Sequence, residues 1–415
     1  VERPATLAAH QLARLRELSV DLGTNAFYCE RLEKGGISPR LGSVEEFIAH
    51  CPFTTKADLV ADQIAHPPFG SNLTYPLERY TRFCQTSGTT RAPLAILDTP
   101  ESWQWMLGNW AEIYRAAEVR AGTRVYFAFS FGPFLGFWTA FEAAAQLGCL
   151  CLPGGGLSSP ARLRAIVAYS AEVLCCTPTY AIHLGEAASK AGVDLTHGPV
   201  RKIIVAGEPG GSVPAIRARI AELWGGAVVL DHYGLTETGP VAFQRPGEPD
   251  LLHVLETSYL AEVVHPQTGA SVPPGETGEL VLTTLGRTSS PLLRYRTGDL
   301  VVRDAAVEGF ALRGGVLGRA DDMVVVRGVN LFPAAVDAVV RSVPGIGEYR
   351  VEVSRAGALV EVTLCVEAAS AETTAALESA LTSTFSLRIP VRRVEPGTLP
   401  RFEMKAQRWL TRDSA

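Results

Sequence analysis

Between Arg124 and Gly234, short apolar, β-branched runs alternate with helical patterns, and no other feature of the chain restricts its fold as much. "RVYFAF" reads as a strand, "PFLGFWTAFEAAAQLG" as a helix and "CLCLPGGG" as a strand leading into a Gly-rich loop. A helix "SPARLRAIVAYSA", a strand "VLCCTP", a helix "YAIHLGEAASKAG" and a strand "VRKIIVAG" follow. A helix "VPAIRARIAELWG" and a strand "AVVLDHYG" complete the series. Strands this apolar need cover on both faces, which a parallel sheet layered with helices provides. Ligands of such sheets bind in loops at the carboxyl ends of strands. "AGEPGG" (206–211) and "YGLTETG" (233–239) are two such loops.

From Leu252 to about Leu300 the texture changes to β-hairpins, with turn signals at Gly269, Pro273-Pro274-Gly275 and Thr277-Gly278. After about Gly318 a smaller unit follows. A segment "DMVVVRGVNLFPAAVDAVVRSV" leads into strands "YRVEVSR" and "ALVEVTLCVEA", a helix "AETTAALESALTSTF" and a last strand near "VRRVEPG". The expected fold class is therefore α/β. A large N-terminal domain of α/β layers with an added β-hairpin or barrel region spans 1–317, and a small α+β C-terminal domain spans 318–415. A chain of 415 residues exceeds one hydrophobic core, in keeping with more than one domain.

Composition narrows the function. A net charge of −5 argues against a nucleic-acid surface, which favours a basic footprint. The eight Cys sit mostly in apolar runs without C-x-x-C or paired Cys/His spacing, so buried thiols are expected rather than zinc or disulfides. The opening residues read as a charged amphipathic helix, not a signal sequence. The apolar stretch Val125–Phe141 is short for a membrane span and is interrupted by Gly132-Pro133. A cytoplasmic protein without a membrane segment is the expectation.

"TSGTTRAP" (86–93) packs four hydroxyls and a glycine into one polar run. Backbone N–H and Ser/Thr O–H groups can converge there on one anion, as in a phosphate cradle. It is not a P-loop, since no Gly-Lys pair occurs in the chain.

"TSGTTRAP", "YGLTE", "YRTGD", "GRADDMVVVRGVNLFP" and "PRFEMKAQRW" occur in that order. Together they resemble the adenylate-forming acyl-CoA ligase superfamily over essentially the whole chain. "FYCERLEKGGI", "CPFTTKADL", "LCCTPTYAIHL" and "RGVNLFP" look like its phenylacetate–CoA ligase branch. The resemblance implies ATP-dependent activation of a carboxylic acid to an acyl-adenylate, with magnesium, followed by transfer to coenzyme A. The alternative acceptor is a carrier-protein thiol or an amine. A non-catalytic nucleotide-binding relative is a further reading, and the joint presence of Glu237, Asp299, Arg319 and Lys405 opposes it.

By this resemblance, Thr86, Ser87, Gly88, Thr89 and Thr90 would wrap the β- and γ-phosphates. The sequence departs from the family at Arg91-Ala92, where Gly-Lys is usual, and at Met404, where Gly is usual. Glu237 would hold magnesium, with Thr236 beside the α-phosphate. Tyr233 would stack on adenine, and Gly207, Glu208, Pro209, Asp231 and His232 would line the base pocket. Asp299 would bind the ribose hydroxyls and Arg319 the ribose or phosphate. Lys405 would bridge the substrate carboxylate and the α-phosphate, a task suited to a compact ammonium. Asp321 falls at the hinge of a mobile C-terminal domain, and Gly328 lies on the loop that approaches the thiol. Phe129 and Phe134, with Tyr233 and Gly234, would form an acyl pocket suited to an aryl or arylacetic acid. Zinc is not expected: His253 is present, but Gln244 and Gly286 stand where the branch places thiols. The branch also implies a homodimer.

Overall fold

The computed structural model describes residues 6–35, 40–86, 93–327, 329–356, 359–402 and 407–413. The chain divides into two compact units, one of Val1–Gly155 with His232–Arg313 and one of Gly156–Asp231 with Gly314–Ala415. One break lies near the expected boundary at residue 318. The segment 156–231 groups with the C-terminal residues rather than with the rest of the N-terminal part.

In the first unit, helices Leu7–Asp21, Ala26–Gly35, Val44–His50 and Lys56–Ala65 pack on strands Tyr259–Val264, Thr277–Thr284 and Tyr295–Val302. These strands pair antiparallel in sequence order. Leu15, Leu18, Tyr28 and Phe47 from the helices bury against Leu260, Leu292 and Tyr295. The turn expected at Thr277-Gly278 is instead the start of a strand, in register with Val301 and Val302. The Pro273-Pro274-Gly275 turn before it already reverses the chain. Elsewhere in this unit, strand Arg124–Phe127, helix Leu135–Gln146 and strand Leu150–Pro153 form a β-α-β crossover with parallel strands. Helix Pro100–Ala116 packs on helix Leu135–Gln146, with Trp110 Nε1 donating to Thr139 Oγ1 at 3.0 Å.

In the second unit, strands Val173–Cys176 and Lys202–Val205 and the first half of Val228–Leu235 form a parallel ladder. Every residue of Val173–Cys176 is buried, as its unbroken apolar character requires. Helices Ser159–Ala168, Pro178–Lys190 and Pro214–Leu223 alternate with these strands, as the sequence pattern predicts. The C-terminal part is an α+β subdomain. Strands Ile346–Ala356 and Leu359–Ala368 form an antiparallel hairpin, flanked in parallel by Val391–Val394 and Trp409–Asp413. Helices Pro333–Ser342 and Ala371–Phe385 supply Val336, Val340, Leu377 and Leu381 to its core. Strand Trp409–Asp413 was not expected from the sequence, because "WLTRD" carries only a short, partly charged run.

The second half of Val228–Leu235 pairs antiparallel with Gly239–Phe243, so the strand doubles back through a tight turn at Thr236–Thr238. Gly234 is needed at this turn, since a Cβ there would lie 2.7 Å from the Gly239 carbonyl oxygen.

Candidate active site

Within the first unit that turn carries Thr236 and Glu237, two of the expected nucleotide residues. Thr236 is half-buried and Glu237 is buried. Arg287 fixes the turn's backbone: one guanidinium nitrogen donates to the Thr236 and Glu237 carbonyls at 2.8 and 2.7 Å. The same guanidinium grips Asp98 through two bonds of 2.7 and 2.5 Å. Ser289 Oγ adds a third bond to Asp98 at 3.1 Å. Arg287 and Asp98 are wholly buried, so neither charge is tolerable without the other.

The Glu237 carboxylate faces a second cation. Lys56 Nζ lies 3.1 Å from its Oε1, and the Tyr295 hydroxyl donates to the same oxygen at 3.4 Å. Local chemistry sets Lys56 there. Thr55 caps helix Lys56–Ala65 in a reciprocal box with Asp58, making Lys56 the first helical residue. Thr54 is anchored by backbone bonds to Arg294 and Arg296, on either side of Tyr295. The "TTKAD" stretch thus delivers an ammonium to the acidic turn. The sequence contained this motif but gave no reason to assign Lys56 a role, and Arg287 carried no periodic or motif signal at all.

Asp299 lies on a β-bulge. Opposite the single residue Leu280, the strand accommodates Thr297, Gly298 and Asp299, and Gly298 adopts a left-handed φ of 77°. Thr297 Oγ1 donates to the Leu280 carbonyl at 2.7 Å and accepts the Asp299 amide at 3.0 Å. Bulges of this kind re-aim a side chain out of the ladder. Asp299 Oδ2 consequently accepts a 2.6 Å bond from the Tyr233 hydroxyl, joining the residues expected at ribose and adenine.

Thr86 ends strand Arg82–Gln85. Its amide donates to the Leu94 carbonyl at 3.1 Å and its Oγ1 accepts the Leu94 amide at 3.0 Å. Its side chain therefore closes the base of the hydroxyl loop. Ser87, Gly88, Thr89, Thr90, Gly328 and Lys405 lie outside the described residues, as do Arg91, Ala92 and Met404.

His232 follows the parallel half of its strand and is buried. Its ring lies 4.3 Å from that of Trp110, and Nδ1 donates to the Ala242 carbonyl at 2.9 Å. Burial pushes its pKa down to about 4, so the imidazole is neutral at pH 7.

Phe129 lies two residues beyond strand Arg124–Phe127, and Phe134 just before helix Leu135–Gln146. Phe137 connects them, stacked on Phe129 at 4.1 Å and edge-on to Phe134 at 5.9 Å. The Gln85 amide, one residue before Thr86, donates to the Pro133 carbonyl at 2.8 Å, tying this aromatic turn to the stem of the hydroxyl loop.

Within the second unit, Gly207, Glu208 and Pro209 occupy the loop after strand Lys202–Val205. Glu208 Oε1 accepts the Thr179 amide at 2.8 Å, at the start of helix Pro178–Lys190. Asp231 Oδ2 accepts Ser212 Oγ at 2.6 Å, linking this loop to the end of the parallel ladder. Arg319 pairs with Asp321, with Nε 2.9 Å from Oδ1. The position expected to contact nucleotide and the one expected to act as hinge thus share one ion pair.

His253 Nε2 lies 2.6 Å from Glu248 Oε2, and Gln244 donates to the Pro249 carbonyl at 2.5 Å. Among the described residues no group of three or more His, Cys, Asp or Glu could hold a metal ion. No helix among them is long and apolar enough to cross a membrane.

Residues 80–288 match the AMP-binding enzyme family and 328–412 match the AMP-binding enzyme C-terminal domain. A phenylacetate–coenzyme A ligase of Thermus thermophilus is 34% identical over 82% of this chain and 76% of its own length. One from Pseudomonas putida is 31% identical over 87% and 82%. Among solved structures, 2-hydroxyisobutyryl-CoA ligase with 2-HIB-AMP, in the postadenylation state, aligns with a TM-score of 0.91. The identity is 28%, over 97% of this chain and 89% of that one. The same ligase with 2-HIB-AMP and CoA, in its thioester-forming state, aligns with a TM-score of 0.72 at 29% identity and the same coverage.

Proposed function

The chain belongs to the AMP-binding enzyme family, in its phenylacetate–coenzyme A ligase-like branch, and we propose that the acid it activates is aromatic, an aryl or arylacetic acid. It is an acid–thiol ligase. The carboxylate attacks the α-phosphate of ATP to give an acyl-adenylate and pyrophosphate, and the thiol of coenzyme A then displaces AMP. The observation that carries the aromatic assignment is the run Phe129–Phe137–Phe134 at the carboxyl end of a parallel strand. Its hydrogen bond ties this apolar wall to the stem of the hydroxyl loop, where the polyphosphate would lie.

The remaining site residues would take the tasks that the family resemblance implies. Phosphoryl chemistry of this kind is mostly positioning and charge stabilisation. Asp299, oriented by Tyr233, would accept the ribose hydroxyls. Tyr233 would stack on adenine, with Gly207, Glu208, Pro209, Asp231 and His232 around the base. Ser87 to Thr90 would hold the departing pyrophosphate, with Thr86 closing the loop. Lys405 would neutralise the two anions as they approach.

Magnesium fits the donor set. Glu237 offers a hard carboxylate on a backbone locked by Arg287, and a phosphate-bridging cation needs few protein oxygens. When bound through Glu237, the ion would offset charge on the phosphates. Residues 1–317 and 318–415 would act as separate domains, with Asp321 as hinge and Gly328 on the thiol side, in a cytoplasmic homodimer.

A panel of carboxylic acids scored for AMP and pyrophosphate, with coenzyme A, with a carrier protein and with neither, tests the proposal. Arylacetic and aryl acids with coenzyme A should give the highest turnover. Turnover confined to short polar acids would overturn the aromatic assignment, and dependence on carrier protein alone would overturn the acceptor.

A further inference from the structure

The aromatic run holds more rings than the two expected from the sequence, and they are not equivalent. Phe129 is only 8% exposed. Phe137 covers one of its faces at an interplanar angle of 18°, while Phe127 and Phe131 meet it edge-on at 5.8 and 5.5 Å. A ring so enclosed has little surface left for a ligand. Phe134 and Phe137 are half-buried instead. Phe137 lies in the first turn of helix Leu135–Gln146, whose Leu135, Thr139 and Ala140 are buried.

The rings form one network of two clusters, joined where Phe131 meets Phe129 edge-on at 5.5 Å. Phe131, Trp138 and Phe141 pack together, at 4.8 Å between Phe131 and Trp138 and 5.3 Å between Phe131 and Phe141. This group leans toward strand Leu150–Pro153 and the glycines at its carboxyl end. A Cβ on Gly155 would lie 3.4 Å from the Phe131 ring, and Cys151 Sγ approaches the Phe141 carbonyl. Phe129, Phe137 and Phe134 form the other group, whose turn is bonded through Pro133 to Gln85, at the foot of the hydroxyl loop.

We propose that Phe137 is a specificity-determining residue. Its ring, with that of Phe134, meets the acyl group and limits its length, while Phe129 holds Phe137 from behind and does not itself contact the acid. This rests on the aromatic-acid reading above. Stacking on Phe129 at 4.1 Å restrains the Phe137 ring, which suits it to act as a stop. Removing the stop opens room for a longer acid. A hydrophobic pocket discriminates one methylene by on the order of 10- to 200-fold, so the change is measurable.

The test compares phenylacetate with 3-phenylpropanoate in pyrophosphate release with coenzyme A present, reading the ratio of kcat/KM values. Phe137→Ala should raise the ratio of the longer to the shorter acid by about tenfold, and Phe137→Trp should lower it, with KM for ATP unchanged in both. Phe141→Leu, which alters the cluster around Phe131, should leave the ratio alone. A ratio that stays within about twofold in both Phe137 variants, or that moves as far in Phe141→Leu, overturns the proposal. Should Phe137→Ala fail to fold, Phe137→Leu and Phe137→Trp give the same reading. Should the unmodified enzyme reject both acids, the aromatic assignment fails. The ratio is then taken between its best acid and that acid's one-carbon homologue, and an unmoved ratio there defeats the role of Phe137 separately.

Discussion

The Tyr233 hydroxyl donates a 2.6 Å hydrogen bond to Asp299 Oδ2 across 66 residues of sequence. One carboxylate oxygen is thereby held, and the bulge at Thr297–Asp299 fixes the backbone behind it. A charge-assisted bond of this kind contributes about 1.5–3 kcal/mol. Tyr233→Phe keeps the ring proposed to stack on adenine and removes the hydroxyl that orients Asp299. Its KM for ATP should rise by roughly tenfold while kcat changes little. Asp299→Ala should lose far more. Steady-state kinetics in ATP checks both, and an unchanged KM in Tyr233→Phe would show that Asp299 needs no such support.

Arg287 joins the buried Asp98 to the two carbonyls of the Thr236–Glu237 turn. Arg287→Met strands a buried carboxylate and should cost about 3–5 kcal/mol of stability. Arg287→Lys keeps the charge but loses the planar fork, so the fold should persist while the turn loosens. The apparent affinity for magnesium in pyrophosphate release should then fall by about an order of magnitude. Titration of the ion at saturating ATP, alongside urea melts, separates the two effects. An Arg287→Lys enzyme with unchanged magnesium dependence would contradict a positioning role.

His232 makes stability depend on pH. Its pKa falls from an ordinary 6.5 to about 4 because burial disfavours the cation. Between those values the unfolded chain binds a proton that the folded chain does not. The stability contributed by the neutral imidazole is complete above about pH 6.5 and is lost as pH falls toward 4. A shift of this size amounts to roughly 3 kcal/mol. Urea melts from pH 8 to 4 should show the decline, and His232→Asn should flatten that part of the curve. An identical slope in the variant would assign the decline to other groups.

Much of this was legible in the sequence because the parallel strands are short, apolar and bounded by turn residues. "VLCCTP" and "VRKIIVAG" became Val173–Cys176 and Lys202–Val205, as their burial demands. Glu237 and Asp299 were singled out through the resemblance of "YGLTE" and "YRTGD" to a family. The partners that hold them were not. Arg287 finds Asp98 across 189 residues, and Lys56 reaches Glu237 only because Thr55 and Asp58 start a helix at that point. Such pairings arise from tertiary packing, for which a local pattern has no signal. Phe137 was hidden differently: inside "PFLGFWTAF" it is one more core-like ring, and its face-on stacking against Phe129 sets it apart.

We propose that Lys405 would deliver a cation to the reacting carboxylate and phosphate during adenylation and would take no part in thioester formation. The most direct measurement sets ATP–pyrophosphate exchange by Lys405→Ala against its formation of acyl-CoA from a supplied acyl-adenylate. Exchange should fall by about two to three orders of magnitude while the second reaction stays within a fewfold of the unmodified enzyme. Equal loss of both, or retention of exchange, would contradict it.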